Sequence, residues 1–305
     1  MIYTLTTNPA VDMNVTSDRP STQHVNRTRN AVYTPNGKGL NVSFTLKHYG
    51  VDSKILGFFG GFSGDYIVCG ARKVCEVEPV LIDGITRVNL FIATPDGEYK
   101  FPNAGAPVGR EKQEEMLGLL RQAQDLDCLV VSGSLPPQID PSYYDELIDV
   151  VHERGADLVL DISHPHLAEL VEKRPLLIKP NDEEAAAVFG ADVGDESAIL
   201  VALGKIHARG AQNVLLTLGG NGAYFSDGEH VWRAEAVRVP VLSTACAGDA
   251  TLAGFLSIWY ADRSAIVPAL ARAMATGANV AMSAGLGDFA KVEEFEREVR
   301  ITQVA

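Results

Sequence analysis

Short apolar runs rich in β-branched residues recur at Ile2–Thr7, Lys54–Phe59, Cys128–Ser132, Leu158–Ile162, Leu176–Lys179 and Val214–Leu218. Runs this short, closed by Gly, Pro, Asn or Ser, predict strands. Between them, apolar residues return at helical spacing over 38–49, 63–74, 110–123, 141–154, 182–189 and 196–209. Leu252, Phe255, Leu256 and Trp259 predict one more helix near the C-terminal end. Strands alternating with helices predict an α/β fold whose mostly parallel sheet is covered on both faces. Ligands of such sheets bind beyond the carboxyl ends of the strands. Asn8-Pro9, Gly60-Gly61, Gly133-Ser134, Lys179-Pro180-Asn181 and Gly219-Gly220 therefore converge on one predicted cleft.

Two segments break the alternation. Val11–Thr34 is polar, lacks a helical period and contains extended stretches such as His24–Val32. In Thr86–Phe101, Val88, Leu90 and Ile92 alternate with Arg87, Asn89 and Phe91 before a turn at Pro95-Asp96-Gly97, a hairpin pattern. Residues 11–34 and 86–103 are expected to form a small β lid. The α/β core then comprises 1–10, 35–85 and 104–305.

Composition narrows the partners. The chain has 305 residues, 46% of them hydrophobic and 21% charged, with a formal net charge of −13. That charge argues against nucleic acid and anionic membranes as partners. The N-terminus lacks a signal-peptide pattern, and no apolar run is long enough to span a bilayer. Cys69, Cys75, Cys128 and Cys246 show no metal or redox spacing. Reduced thiols in a cytoplasm are expected.

The stretch with most chemistry is Ser243–Phe255. Small residues lead into Asp249 at the head of a predicted helix, where free N–H groups favour an anion. An anion hole beside a carboxylate base suits phosphoryl transfer to a hydroxyl. A plain helix start with an acidic first turn is the commoner reading of this stretch alone. Asn36-Gly37-Lys38-Gly39-Leu40-Asn41 puts a lysine in a glycine-rich turn, able to meet a phosphate or to remain a solvated basic turn. Arg87 and Asn89 share one side of a strand, and Asp12 follows the first strand, within reach of sugar hydroxyls. Asn181 and Glu184 stand three apart in a helix's first turn. They suit a hydrated Mg²⁺, and Asn181 also reads as a helix cap. Thr217-Leu218-Gly219-Gly220-Asn221-Gly222 is a strand end running into a glycine turn.

Six segments in order resemble the PfkB carbohydrate kinases of the ribokinase-like superfamily. They are Thr7–Asp12, Gly37–Val42, Gly57–Gly61, Ser132–Pro137, Ile178–Glu184 and Ala247–Asp249. Thr86-Arg87-Val88-Asn89 is similar to the subgroup that phosphorylates sugar phosphates, 1-phosphofructokinase and tagatose-6-phosphate kinase. The resemblance implies a three-layer α/β/α core with a small β lid, ATP and Mg²⁺ as cofactors, and subunits paired through the lid. It implies Asp249 as base, with the amides of Ala245, Cys246, Ala247 and Gly248 around the transferring phosphoryl group. Asp12, Gly37 and Asn41 would hold sugar hydroxyls; Lys38, Arg87, Asn89 and Ser134 would hold the substrate's own phosphate. Lys179, Asn181 and Glu184 would serve nucleotide phosphates and Mg²⁺, and Thr217, Gly219, Gly222 and Asn279 would line the nucleotide pocket. The implied reaction is ATP-dependent phosphorylation of a phosphorylated ketohexose, most simply fructose 1-phosphate. Tagatose 6-phosphate, fructose 6-phosphate and a non-catalytic sensor role stay open. Asn36 and Cys246 stand where the family usually has glycine, and a left-handed backbone at Cys246 would be strained.

Overall fold

The computed structural model describes residues 1–305. Its strands are β1 (Ile2–Thr6), β2 (Ala10–Thr16), β3 (Arg29–Asn36), β4 (Ser53–Phe59), β5 (Glu76–Leu81), β6 (Arg87–Thr94) and β7 (Gly97–Phe101). They continue with β8 (Cys128–Ser132), β9 (Asp157–Asp161), β10 (Leu177–Ile178), β11 (Val214–Thr217), β12 (Ala223–Ser226), β13 (Val231–Ala234) and β14 (Ile301–Gln303). The helices are α1 (Lys38–His48), α2 (Gly61–Ala71), α3 (Arg110–Gln122), α4 (Tyr143–Glu153) and α5 (Leu167–Leu170). After these come α6 (Asp182–Phe189), α7 (Glu196–Arg209), α8 (Ala247–Trp259), α9 (Ile266–Ala281) and α10 (Val292–Glu296).

Ten strands form the main sheet in the order β14-β13-β12-β11-β10-β9-β8-β1-β4-β5. Pairing is parallel from β11 across to β5 and antiparallel from β11 to β14. Each central strand is apolar on both sides, and its side chains divide by pleat. Leu129 and Val131 join the core beneath α3, α4 and α7, with Met116, Leu147 and Leu203. Cys128 and Val130 face the other way, into the core beneath α1, α8 and α9, with Leu46, Phe255 and Leu270. The three-layer architecture follows from that alternation. No helix is long and apolar enough to cross a membrane.

The remaining four strands make a separate sheet in the order β3-β2-β6-β7. It is mixed, because β2 pairs with β6 in parallel while β3 and β7 flank them antiparallel. In the first irregular segment β2 precedes β3, and β3 begins only at Arg29, so the extended run expected from His24 is shorter than the sequence pattern implies. The chain enters this sheet at Ala10 and leaves it at Asn36. Both positions lie beside the carboxyl end of β1, so the small sheet is anchored where the cleft opens.

Gly222 closes the turn between β11 and β12, where Leu218 N–H donates to its carbonyl at 2.8 Å. It has φ of +93°, and a Cβ there would fall 2.0 Å from the Ala234 carbonyl oxygen. The glycine is thus required by backbone packing. Gly222→Ala should cost ~2–4 kcal/mol through a forced backbone shift. Thermal unfolding would then begin several degrees lower. An unchanged melting temperature would show that the turn yields freely.

Candidate active site

The parallel strands β1, β8, β9, β10 and β11 end at one edge of the sheet, and α1 and α8 begin there. Between them lies a cavity of about 490 Å³ in which only two of 20 lining residues are hydrophobic. A cleft this polar suits a ligand rich in charge and hydroxyls, since every buried polar group needs a partner. Lys38, Asn41, Arg87, Asn89, Ser134, Lys179, Asn181, Thr217, Cys246, Gly248 and Asp249 all line it, as does Gly37.

At its floor sits a residue that motif reading passes over. Asp161, the last residue of β9, is fully buried. Its Oδ1 lies 3.1 Å from Lys38 Nζ and 3.0 Å from Lys179 Nζ. Burial alone would raise its pKa, but the two lysines outweigh it and hold the carboxyl below its ordinary value. Lys38 Nζ is also 3.9 Å from Asp249 Oδ1. Burial would lower the Lys38 pKa, and the carboxylates of Asp161, Asp249 and Glu184 reverse that, so the amine stays charged. Asp249 itself is pushed up to about 6, chiefly by burial and further by Asp161, against the pull of Lys38. A carboxylate with that pKa is still ionised at neutral pH and more basic than an exposed one, as a general base should be.

Asp249 stands in the first turn of α8, whose N-cap is Cys246 in the left-handed region, φ 64° and ψ −11°. An L-residue there stores ~1–2 kcal/mol of strain. Burial, then the charges of Asp249 and Asp12, push the Cys246 thiol up to about 12, so it stays protonated. The expected anion hole is narrower than the motif implies. Ala245 N–H donates to Ser243 Oγ at 3.2 Å and Ala247 N–H to the Thr244 carbonyl at 3.3 Å. The unpaired amides are those of Cys246, Gly248 and Asp249. A Cβ on Gly248 would lie 3.6 Å from Lys179 Nζ, so that ammonium adjoins the helix start.

On the small-sheet side, Asp12 is buried and accepts from Asn89 Nδ2 at 2.8 Å and from Asn36 Nδ2. Asn41 Nδ2 donates to Asp249 Oδ2 at 2.8 Å. The Arg87 guanidinium donates to the carbonyls of Asn8 at 2.9 Å and Asn103 at 3.2 Å, while its buried Nε has no partner. Burial lowers its pKa, so an anion would relieve the site. Ser134 contributes its carbonyl to Thr7 Oγ1 at 2.7 Å. Lys38, expected on the substrate's phosphate, lines the cleft while its Nζ pairs with Asp161.

Asn181 and Glu184 form a reciprocal capping box at the head of α6, and Ser163 Oγ donates to the second Glu184 oxygen. No group of three or more His, Cys, Asp or Glu side chains could enclose a bare metal ion. Both Glu184 oxygens and the Asn181 amide oxygen are already engaged, so what this pair could offer a cation is contact through water. Gly219 is exposed on its turn. Asn279 is buried, and its Oδ1 accepts Lys291 N–H at 3.0 Å, bracing the chain after α9. Neither these two nor Ala245 is among the residues lining that cavity.

Comparison with known proteins matches this geometry. The model of the pfkB family carbohydrate kinases matches residues 6–292. The chain is 45% identical to a D-tagatose-1-phosphate kinase of Klebsiella oxytoca, with 100% of each chain covered. It is 31% identical to a 1-phosphofructokinase of Bacillus subtilis, again over 100% of both. A solved structure of phosphofructokinase-2 from Escherichia coli with fructose-6-phosphate superposes with a TM-score of 0.88 over 97% of this chain and 98% of that one. At 23% identity that match speaks to the fold alone. The family match over nearly the whole chain, with named kinases as relatives, makes this protein a member of the pfkB family of carbohydrate kinases, a phosphotransferase acting on a sugar hydroxyl.

Proposed function

We propose that the chain transfers the γ-phosphoryl group of ATP to the free primary hydroxyl of a ketohexose 1-phosphate, with D-tagatose 1-phosphate the first substrate to test. The observation that carries the chemistry is Asp249, buried at the head of α8 between unpaired amides and the Lys38 ammonium. The observation that orders the sugars is identity, 45% and 38% to two D-tagatose-1-phosphate kinases against 31% over the full length, and 36% over 84% of this chain, to two 1-phosphofructokinases. Fructose 1-phosphate, the simplest expectation from the motifs, is the second reading, supported by those latter relatives.

In this mechanism Arg87, which lines the cleft, grips the phosphate already on the sugar. Asp12, Gly37 and Asn41 receive the sugar hydroxyls. Anchoring one end of the substrate places the far hydroxyl against Asp249, which takes its proton as the oxygen attacks phosphorus. The amides of Cys246 and Gly248, with Lys179 beside them, hold charge on the transferring group. Thr217 and the turn after it face the nucleotide. A hydrated Mg²⁺ near Asn181 and Glu184 would offset phosphate charge.

Residues 11–34 and 86–103 act as the lid over a core of 1–10, 35–85 and 104–305, excluding water during transfer. Val32, Tyr33, Tyr99 and Phe101 of the small sheet are each about half exposed. This apolar surface supports pairing of two subunits through their lids.

ATP turnover should be measured with tagatose 1-phosphate, fructose 1-phosphate, tagatose 6-phosphate and fructose 6-phosphate. The 1-phosphates should show the higher kcat/KM; preference for a 6-phosphate would reverse the assignment. Asp249→Ala should lower kcat by ~10²–10⁴ with sugar-phosphate affinity kept. Residual turnover near that of the parent would remove Asp249 as base. Arg87→Ala should raise KM for the sugar phosphate by roughly tenfold or more, the worth of one charge-assisted contact. An unchanged KM would take Arg87 out of the phosphate subsite.

A further inference from the structure

Asn36, the last residue of β3, lies within a chain of side-chain hydrogen bonds that runs from the small sheet to the proposed base. Asn103 N–H donates to Asn89 Oδ1 at 3.1 Å, and Asn89 Nδ2 donates to Asp12 Oδ1 at 2.8 Å. Asn36 Nδ2 donates to the other Asp12 oxygen. Asn36 Oδ1 accepts from Gly37 N–H at 2.6 Å and from Asn41 Nδ2 at 2.9 Å. Asn41 Nδ2 then donates to Asp249 Oδ2 at 2.8 Å. Asp12, Asn41, Asn89 and Asp249 are all buried, so water competes little for these bonds.

The Asn41 amide nitrogen has two hydrogens, and both are used, one on Asn36 and one on Asp249. Turning the amide over would set its carbonyl oxygen against Asn36 Oδ1 and against a carboxylate, two contacts between acceptors. Asn36 therefore helps decide which way Asn41 faces. It does so while fixed at its other end to Asp12, the carboxylate that receives sugar hydroxyls.

We infer that Asn36 is a positioning residue for phosphoryl transfer: it holds the Asn41 amide so that a donor stays on Asp249, and it ties that donor to Asp12 in the lid. The inference rests on Asp249 being the base. The charged groups facing Asp249 are Lys38 from α1, Asp161 from the end of β9 and Lys179 after β10, and the neutral thiol of Cys246 lies at the head of its own helix. Substituting Asn36 leaves all of them in place. Losing the Asn41 donor disfavours the ionised carboxylate, so the Asp249 pKa rises and the acid limb of the rate profile moves to higher pH.

The test is kcat/KM against pH, with ATP and the preferred sugar phosphate, for the parent, Asn36→Ala, Asn41→Ala and the double variant. Asn36→Ala should move the acid limb up by about half to one unit, a loss roughly two- to fivefold larger at about pH 6 than at about pH 8. In the Asn41→Ala background the same substitution should move the limb no further, because its effect passes through Asn41. A limb that stays with the parent's, whatever happens to thermal stability, overturns the inference. So does an equal extra shift in the double variant. If Asp249→Ala stays active, the base assignment itself has failed, and that result is read separately from the Asn36 series.

Discussion

The cleft depends on one buried carboxylate held by two ammonium groups. Asp161 has no exposure to solvent, and Lys38 and Lys179 both close on its Oδ1 at about 3 Å. An unpaired charge at that depth would be untenable, and removing one partner of such a pair typically costs about 3–5 kcal/mol. The lysines arrive from different places, one opening α1 and the other following β10. Asp161 thus draws the two halves of the cleft together through a single oxygen. It also restrains Lys38, which stops 3.9 Å from Asp249 instead of closing into a tight pair. The proposed base keeps a positive neighbour without being neutralised by it.

Around that cluster the backbone supplies the remaining parts. Parallel strands bring their carboxyl ends to one edge, and the start of α8 offers N–H groups that no protein atom uses. Local strain accompanies this arrangement. Cys246 carries a left-handed backbone that a glycine would adopt freely, and its raised thiol pKa keeps a further negative charge out of the cleft. Asn36 fills the other position where the resemblance leads one to expect glycine, and its amide joins Asp12 to Asn41. Both departures line the same cleft.

Much of this was legible in the sequence because hydrophobic period and glycine turns are local signals. Strand β8 and helices α6 and α7 fall on the residues the pattern predicts. Helix α9 and strands β12 to β14 were not read, since the strands are three or four residues long and carry little alternation. Asp161 was missed for a different reason. It ends an apolar strand, Asp157-Leu158-Val159-Leu160-Asp161, without any motif, and its role exists only once Lys38 and Lys179 are folded against it. A charged residue closing a buried parallel strand at the ligand edge was the available signal. Gly222 and Asn279 enter as nucleotide contacts by resemblance alone; the fold adds that Gly222 is required by close backbone packing and that Asn279 Oδ1 braces the chain after α9.

The most direct test of this account is single-turnover phosphoryl transfer by Asp161→Asn, followed across pH. With the charge gone, Lys38 is free to close on Asp249, whose pKa Asp161 otherwise helps to raise. The acid limb should therefore move to lower pH, and the plateau rate should fall by roughly tenfold or more as the base weakens. A variant with the parent's plateau and the parent's acid limb would contradict the account, because the lysines would then need no carboxylate to hold them.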